Sequence, residues 1–319
     1  MILVAGSANL DFVVRAPHIP APGETVLGSG FRTFAGGKGA NQAVACARAG
    51  GVATSMLVGL GADSFAQPIE ASLHAAGVKL HIFRPENVPT GTAFICVSDE
   101  AENAITVAPG ANSALRAEHL PDLRGISHLL LQLETPLETV AAYAQAARRA
   151  GVSVVLNAAP AQPLPRALLA MLDVLVVNEG ELATVSSCAG SVADCLNQLL
   201  EVPCIVVTLG GQGCCARLNG GAHGETILQS AFAIKPVDTT AAGDTFCGVL
   251  VASLAQRQLL PVALERASAA AALACMRAGA QDSIPTRREV DEFLFARAGD
   301  SSNAASAKAT LAKFAGFNV

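Results

Sequence analysis

The run Val237-Asp238-Thr239-Thr240-Ala241-Ala242-Gly243-Asp244-Thr245-Phe246 sets one carboxylate, Asp244, among small residues just ahead of an apolar helix expected over 246–255. Backbone N–H groups at a helix start have no partner within the helix, so such a place attracts anions such as phosphate. A carboxylate there would repel the anion those donors attract. The combination makes chemical sense if Asp244 takes a proton from a hydroxyl while the N–H groups of Ala242, Gly243 and Asp244 hold a phosphoryl group in transfer. The other reading is that Asp244 only caps the helix.

A second polar cluster stands upstream. Phe34-Ala35-Gly36-Gly37-Lys38-Gly39-Ala40-Asn41-Gln42 is a glycine turn opening directly into a helix, with Lys38 and Asn41 at its start. Glycines permit backbone conformations closed to other residues and let a ligand approach the main chain. No Ser or Thr follows Lys38, so this is not a P-loop. Taken alone, the turn could equally be a plain strand-to-helix connection.

These clusters need a scaffold, and the chain supplies a repetitive one. Apolar runs at 3–5, 56–58, 129–133, 152–156, 174–177 and 205–208 alternate with helical patterns at 40–49, 65–76, 137–150 and 192–200. Strands apolar throughout and separated by helices indicate an α/β fold: a doubly wound, mainly parallel sheet covered on both faces. Two segments break the alternation. Residues 9–36 carry several Pro and Gly turn signals, and 90–109 read as a hairpin over 92–98 and 103–108 with a charged turn at 99–102. Both are expected to form a small β-sheet lid, so the α/β domain comprises 1–8, 37–89 and 110–297. A helix is expected over 288–296, and 298–319 form a tail, either a loose helix or disordered.

Composition narrows the function. The 319 residues are 51% hydrophobic and 15% charged, which indicates an extensive interior. With a net charge of −5, no basic cluster, one Tyr and no Trp, nucleic-acid binding is not expected. The nine cysteines follow no metal-ligand spacing. They read as small core residues of a protein in a reducing compartment, and the cytoplasm is the expected location. The N-terminus lacks the features of a signal peptide, and no membrane span is expected. A dehydrogenase is excluded, because Gly6-Ser7-Ala8-Asn9 stands where a G-x-G-x-x-G turn would follow the first strand.

Together, Gly36-Gly37-Lys38-Gly39-Ala40-Asn41-Gln42 and Asp238-Thr239-Thr240-Ala241-Ala242-Gly243-Asp244 resemble the two signatures of the PfkB carbohydrate kinases, in particular members acting on ribose. Further matches run to about residue 297, among them Asn9-Leu10-Asp11, Gln132-Leu133-Glu134, Asn157-Ala158-Ala159-Pro160 and Val177-Asn178-Glu179. The resemblance implies ATP-dependent phosphorylation of D-ribose at O5, with Mg²⁺ required and K⁺ activating. Deoxyribose, another sugar or a nucleoside remain alternative acceptors, and a non-catalytic sugar-binding regulator is the alternative from another class.

By motif position, Asn9, Asp11, Gly37, Lys38, Asn41 and Glu134 are expected to bind the sugar, with Asp244 as base. ATP would lie along Asn178, Thr208-Leu209-Gly210-Gly211-Gln212-Gly213 and Gly243. Ser268 stands where relatives carry His or Asn near adenine. Glu181 matches the acidic position linked to Mg²⁺ through water. Asp238, Thr240, Ala274, Arg277, Gly279 and Ser283 match the K⁺ site. The family's habit implies a homodimer paired through the lids.

Overall fold

The computed structural model describes residues 1–100, 102–219, 224–297 and 304–317. In chain order the strands are β1 (Ile2–Ala5), β2 (Asn9–Ala16), β3 (Ser29–Gly36), β4 (Thr54–Gly59), β5 (Lys79–Phe83), β6 (Gly91–Ser98) and β7 (Asn103–Ala108). They continue with β8 (His128–Leu131), β9 (Ser153–Asn157), β10 (Val174–Asn178), β11 (Cys204–Thr208), β12 (Gly213–Leu218) and β13 (Glu225–Ser230). The helices are α1 (Lys38–Val44), α2 (Ala66–Ala75), α3 (Leu137–Arg149), α4 (Arg166–Leu169) and α5 (Glu179–Ser186). After these come α6 (Val192–Leu196), α7 (Ala242–Ala255), α8 (Leu260–Cys275), α9 (Arg287–Arg297) and α10 (Ala304–Ala315).

Among the described residues, nine strands form the main sheet in the order β13-β12-β11-β10-β9-β8-β1-β4-β5. It is parallel from β5 to β11, and β12 and β13 join antiparallel at one edge. The centre is buried on both faces, as its apolar strands require. Ile2 and Val4 of β1 point into a core shared with α1, α2, α7, α8 and α9, while Leu3 and Ala5 enter the opposite core with α3 to α6 and α10. The four remaining strands make a separate sheet, β3-β2-β6-β7, beside the main one. Alternation in that lid turns Asn9, Asp11, Val13 and Arg15 of β2 toward one cavity, and Phe12 stacks on Phe31 and Phe94 on the other side.

Several boundaries differ from the sequence reading. The helix expected over 40–49 starts at Lys38, and its last part, Ala45–Ala49, widens to a π-type turn. It packs against α7 so tightly that a Cβ on Gly248 would lie 2.6 Å from the Gln42 carbonyl oxygen and 2.5 Å from the Ala45 Cβ. The strand expected over 129–133 ends at Leu131, which releases Gln132 and Glu134 toward the site, and the helix expected over 192–200 ends at Leu196. In the charged turn at 99–102, residue 101 lies outside the described residues. Cys96, Cys188 and Cys275 are half-buried, whereas the other six cysteines are buried.

The tail also departs from expectation. Residues 298–303, 318 and 319 lie outside the described residues, but α10 is a regular helix with Leu311, Ala312 and Ala315 buried. It packs beside β13 and joins the core that holds α3 to α6.

Candidate active site

The upstream cluster is built by a backbone-to-backbone approach. Gly37, the N-cap of α1, has φ 88°, and a Cβ there would lie 2.7 Å from the Ala8 Cα and the Asn9 nitrogen. Only glycine fits that conformation and that gap without strain. The turn thereby meets the chain that leaves β1. Ser7 Oγ and the Lys38 N–H both donate to Glu134 Oε2, at 2.5 and 3.1 Å, which fixes this carboxylate below the turn. Asn9 is oriented by Asn112, whose Nδ2 donates to Asn9 Oδ1 at 2.8 Å.

The downstream cluster is the start of α7. Ala241 adopts a left-handed conformation (φ 58°, ψ 10°), and α7 has no side-chain cap. Asp244 is therefore not the cap; it is the third helical residue, and it is buried. Its Oδ2 accepts from Asn41 Nδ2 at 3.0 Å and its Oδ1 from Gln42 Nε2 at 2.9 Å, so one amide N–H reaches each carboxylate oxygen. One expected donor changes its part: the Ala242 N–H donates to the Thr239 carbonyl at 3.2 Å. Among the described residues, the N–H groups of Gly243 and Asp244 have no acceptor, because the carbonyls four residues back lie ahead of the helix.

Two cavities meet at this point. One, of about 880 Å³ between the lid and the main sheet, is lined by all seven residues of the expected sugar set: Asn9, Asp11, Gly37, Lys38, Asn41, Glu134 and Asp244. The other, of about 240 Å³, lies over the ends of β10 and β11 and includes Asn178, Glu181, Thr208 and Gly243. Lys38, Thr239, Ala241 and Asp244 line both. Leu209, Gly210, Gly211, Gln212 and Gly213 line neither of these cavities; they form the tight turn from β11 to β12, closed by the Leu209 N–H to the Gly213 carbonyl at 2.8 Å. Ser268 also lies outside both, with its hydroxyl 3.8 Å from Cys214 Sγ.

The electrostatics concentrate on the larger cavity. Burial, reinforced by the Glu134 and Asp244 carboxylates, pushes the Asp11 carboxyl up to about 7. The nearby Asp244 charge raises Lys38 in spite of its burial, and burial raises Glu181. Glu181 Oε2 accepts the Asn178 N–H at 2.8 Å in a capping box.

The remaining set draws two loops together. Asp238 Oδ1 accepts from the Thr240 N–H and Oδ2 from the Gly279 N–H, each at 2.9 Å. Burial opposes ionisation of Asp238, but these hydrogen bonds outweigh it and hold the group below the usual range. The Ala274 carbonyl accepts the Arg277 N–H at 3.1 Å, the Ser283 hydroxyl donates to the Ala280 carbonyl at 2.8 Å, and Arg277 pairs with Glu289. Among the described residues no three of His, Cys, Asp and Glu gather as a metal cluster.

Sequence reasoning passed over Gln42, Gln132 and Asn157. Gln42 stood beside Asn41 in the motif, and Gln132 and Asn157 each end an apolar strand run. A polar residue at the carboxyl end of a buried parallel strand is the signal that could have found Gln132 and Asn157.

A model described as "pfkB family carbohydrate kinase" matches residues 1–287. The chain is 40% identical over 309 residues to the ribokinase of Schizosaccharomyces pombe, covering 91% of this chain and 96% of that one. It is 37% identical over 306 residues to the ribokinase of Haemophilus influenzae, at 92% and 98% coverage. The structure of Arabidopsis thaliana ribokinase complexed with ribose and ATP matches with a TM-score of 0.83 at 31% identity, over 92% of this chain and 98% of that one. A likeness that spans both sheets and every polar cluster described above has one meaning: the chain belongs to the pfkB family of carbohydrate kinases.

Proposed function

We propose that this kinase transfers the γ-phosphoryl group of ATP to the O5 hydroxyl of D-ribose, giving ribose 5-phosphate and ADP. One observation carries the reading: a buried aspartate, Asp244, lines both a large polar cavity under the lid and a smaller one over the carboxyl ends of β10 and β11. An acceptor in the first and a triphosphate in the second would meet at that residue. Asp244 takes the O5 proton, the O5–phosphorus bond forms, and the bond from phosphorus to the leaving oxygen of ADP breaks. The unpartnered N–H groups of Gly243 and Asp244 steady the migrating group, and Lys38 adds positive charge from the floor shared by the cavities.

The polar lining suits a polyol. Asn41 lines the cavity and donates to Asp244 through Nδ2, while its Oδ1 is buried without a partner. Asn9, Asp11 and Glu134 supply further partners, and each buried hydroxyl left unpaired would cost about 1–3 kcal/mol. These hydroxyl partners favour ribose over 2-deoxyribose.

Asn178 and Thr208 face the nucleotide, with the 209–213 turn and Ser268 further out. Glu181, whose Oε1 has no hydrogen-bond partner among the described residues, would hold Mg²⁺ through water, and that ion would neutralise phosphate charge. Asp238, Thr240, Ala274, Arg277, Gly279 and Ser283 would hold the proposed K⁺. Oxygen donors in two loops tied by Asp238 suit a monovalent cation. A homodimer paired through the lids is supported by exposed Phe31 and Phe94 on the lid face turned away from the cavity. Nine free thiols support the cytoplasm as its location. A coupled ADP-release assay over pentoses, nucleosides and sugar acids, with and without K⁺, tests the proposal. Preference for any acceptor over ribose would overturn it.

A further inference from the structure

Behind Asp244 lies a row of three side-chain amides that the reaction, as drawn above, does not use. Gln42 of α1 donates both Nε2 hydrogens, one to Asp244 Oδ1 and one to Asn157 Oδ1, each at 2.9 Å. Its own Oε1 accepts from Gln132 Nε2 at 2.6 Å. Asn157 is anchored in turn by donating its Nδ2 to the Val176 carbonyl at 3.2 Å. All three amides are buried, Gln42 and Gln132 completely.

This arrangement permits one orientation of Gln42. Turning its amide over would aim Oε1 at the oxygens of Asp244 and Asn157 and set Nε2 against the donor of Gln132. Three hydrogen bonds would become three like-pole contacts in a dry interior, where an unpaired polar group costs most. A side chain with no freedom thus presents a fixed N–H to one oxygen of the carboxylate. Asn41 fixes the other oxygen. A Lys or Arg in this place would hold Asp244 equally well but would bind its charged form too strongly for it to take up a proton; a neutral amide orients with less loss of basicity.

We propose that Gln42, held by Gln132 and Asn157, is a positioning residue for the base: it aims the free lone pairs of Asp244 at the acceptor and sets the pH at which that base works. The proposal rests on Asp244 being the base. The titratable groups around Asp244 are Asp11 of β2, Lys38 of α1, Glu134 after β8, Glu181 of α5 and Cys247 of α7. Changes at Gln42 leave all five in place.

The test compares full-length Gln42→Leu, which keeps the volume, with Gln42→Glu and Gln132→Met in steady-state assays of ribose phosphorylation from pH 5 to 9. In Gln42→Leu, kcat should fall about tenfold or more at neutral pH, with KM for ribose and ATP within about twofold of wild type. The acid limb of the kcat profile should move up by about one pH unit, because the ionised base loses a donor. Gln42→Glu should move it further, by placing a second carboxylate against Asp244. Gln132→Met, which never touches Asp244, should shift the limb in the same direction by less, and it serves if the Gln42 variants do not fold. An unmoved limb in folded variants, with kcat tracking only thermal stability, would overturn the proposal and leave Gln42 a core residue. Asp244→Asn is the separate control. If it retained turnover, the base assignment would fall and this proposal with it; if it were inactive while the Gln42 limb stayed put, only this proposal would fall.

Discussion

Asp11 and Glu134 face the same cavity from opposite sheets, one on the lid strand β2 and the other beyond the end of β8. Their proximity, added to burial, keeps the Asp11 carboxyl half-protonated near neutrality, at about 7. A protonated Asp11 can donate one hydrogen bond, while the carboxylate accepts from several hydroxyls. The kcat/KM for ribose should therefore rise by about tenfold between pH 6 and 8, in a step centred near 7, and Asp11→Asn should remove that step. The sign for stability is opposite. A carboxyl raised above its unfolded value of 3.8 contributes stability that is complete below that value and is lost as pH rises to about 7. Ligand-free wild type should lose thermal stability relative to Asp11→Asn over that window, by roughly 1.4 kcal/mol for each pH unit crossed. Parallel melting curves at pH 5 and 8 would show it.

Replacing Asp244 with Asn keeps the shape of the group but removes its ability to take a proton. Asn41 and Gln42 would still find an oxygen, though one of their N–H groups would now face an amide nitrogen. The variant should fold and bind ribose while kcat falls by about 10²–10⁴. Calorimetric ribose binding beside the ADP-release rate separates the two effects. Near-normal turnover would remove Asp244 from the chemistry.

Much of this was legible in the chain because its signals are local. Apolar strand runs, a glycine turn opening a helix and an aspartate at another helix start are each written within about ten residues. What escaped depends on contacts far apart in sequence. Gln42 meets Gln132, Asn157 and Asp244 across 90, 115 and 202 residues, and no local pattern encodes such a meeting. The Ala242 N–H was expected to face phosphate, but the left-handed Ala241 turns it toward the Thr239 carbonyl. For the tail a loose helix was one of two readings, and its docking escaped for another reason: among the described side chains its buried face is two alanines and one leucine, too weak a stripe to stand out in an alanine-rich tail.

That helix gives a stability prediction that should spare catalysis. Leu311 is buried in the core that carries α3 to α6, on the other face of the main sheet from the core that α7 joins. Leu311→Ala should cost about 2–5 kcal/mol through lost burial and the cavity left behind. The melting temperature should drop by several degrees, with kcat and both KM values unchanged. An unchanged melting temperature would mean that α10 is not docked in solution.

Asp238 ties two loops through the N–H groups of Thr240 and Gly279, and its ionised form is favoured. Asp238→Ala would free both donors and let the loops part. If this pair of loops holds the activating cation, wild-type rate should rise with added KCl, and the variant should need much more KCl or fail to respond. Omitting K⁺ from the wild-type assay, with Na⁺ keeping ionic strength constant, should mimic the variant. An Asp238→Ala enzyme with the wild-type KCl response would separate these loops from cation activation.

Gly243 offers the sharpest distinction between a folded scaffold and a working site. A Cβ built on it meets no atom within 4 Å, and its φ lies outside the left-handed region, so alanine is compatible with the protein alone. Alanine is also the better helix former, by up to about 1 kcal/mol. Yet Gly243 lines the smaller cavity, where the migrating group must approach the Gly243 and Asp244 N–H groups. Gly243→Ala should therefore match or exceed the wild type in thermal stability while losing turnover, because the methyl occupies space that the transferred phosphoryl group needs. Ribose binding should be intact and ADP release slowed by about 10²-fold or more, in line with the loss of a preorganised donor. A stable variant with wild-type kcat would show that the phosphoryl group passes elsewhere.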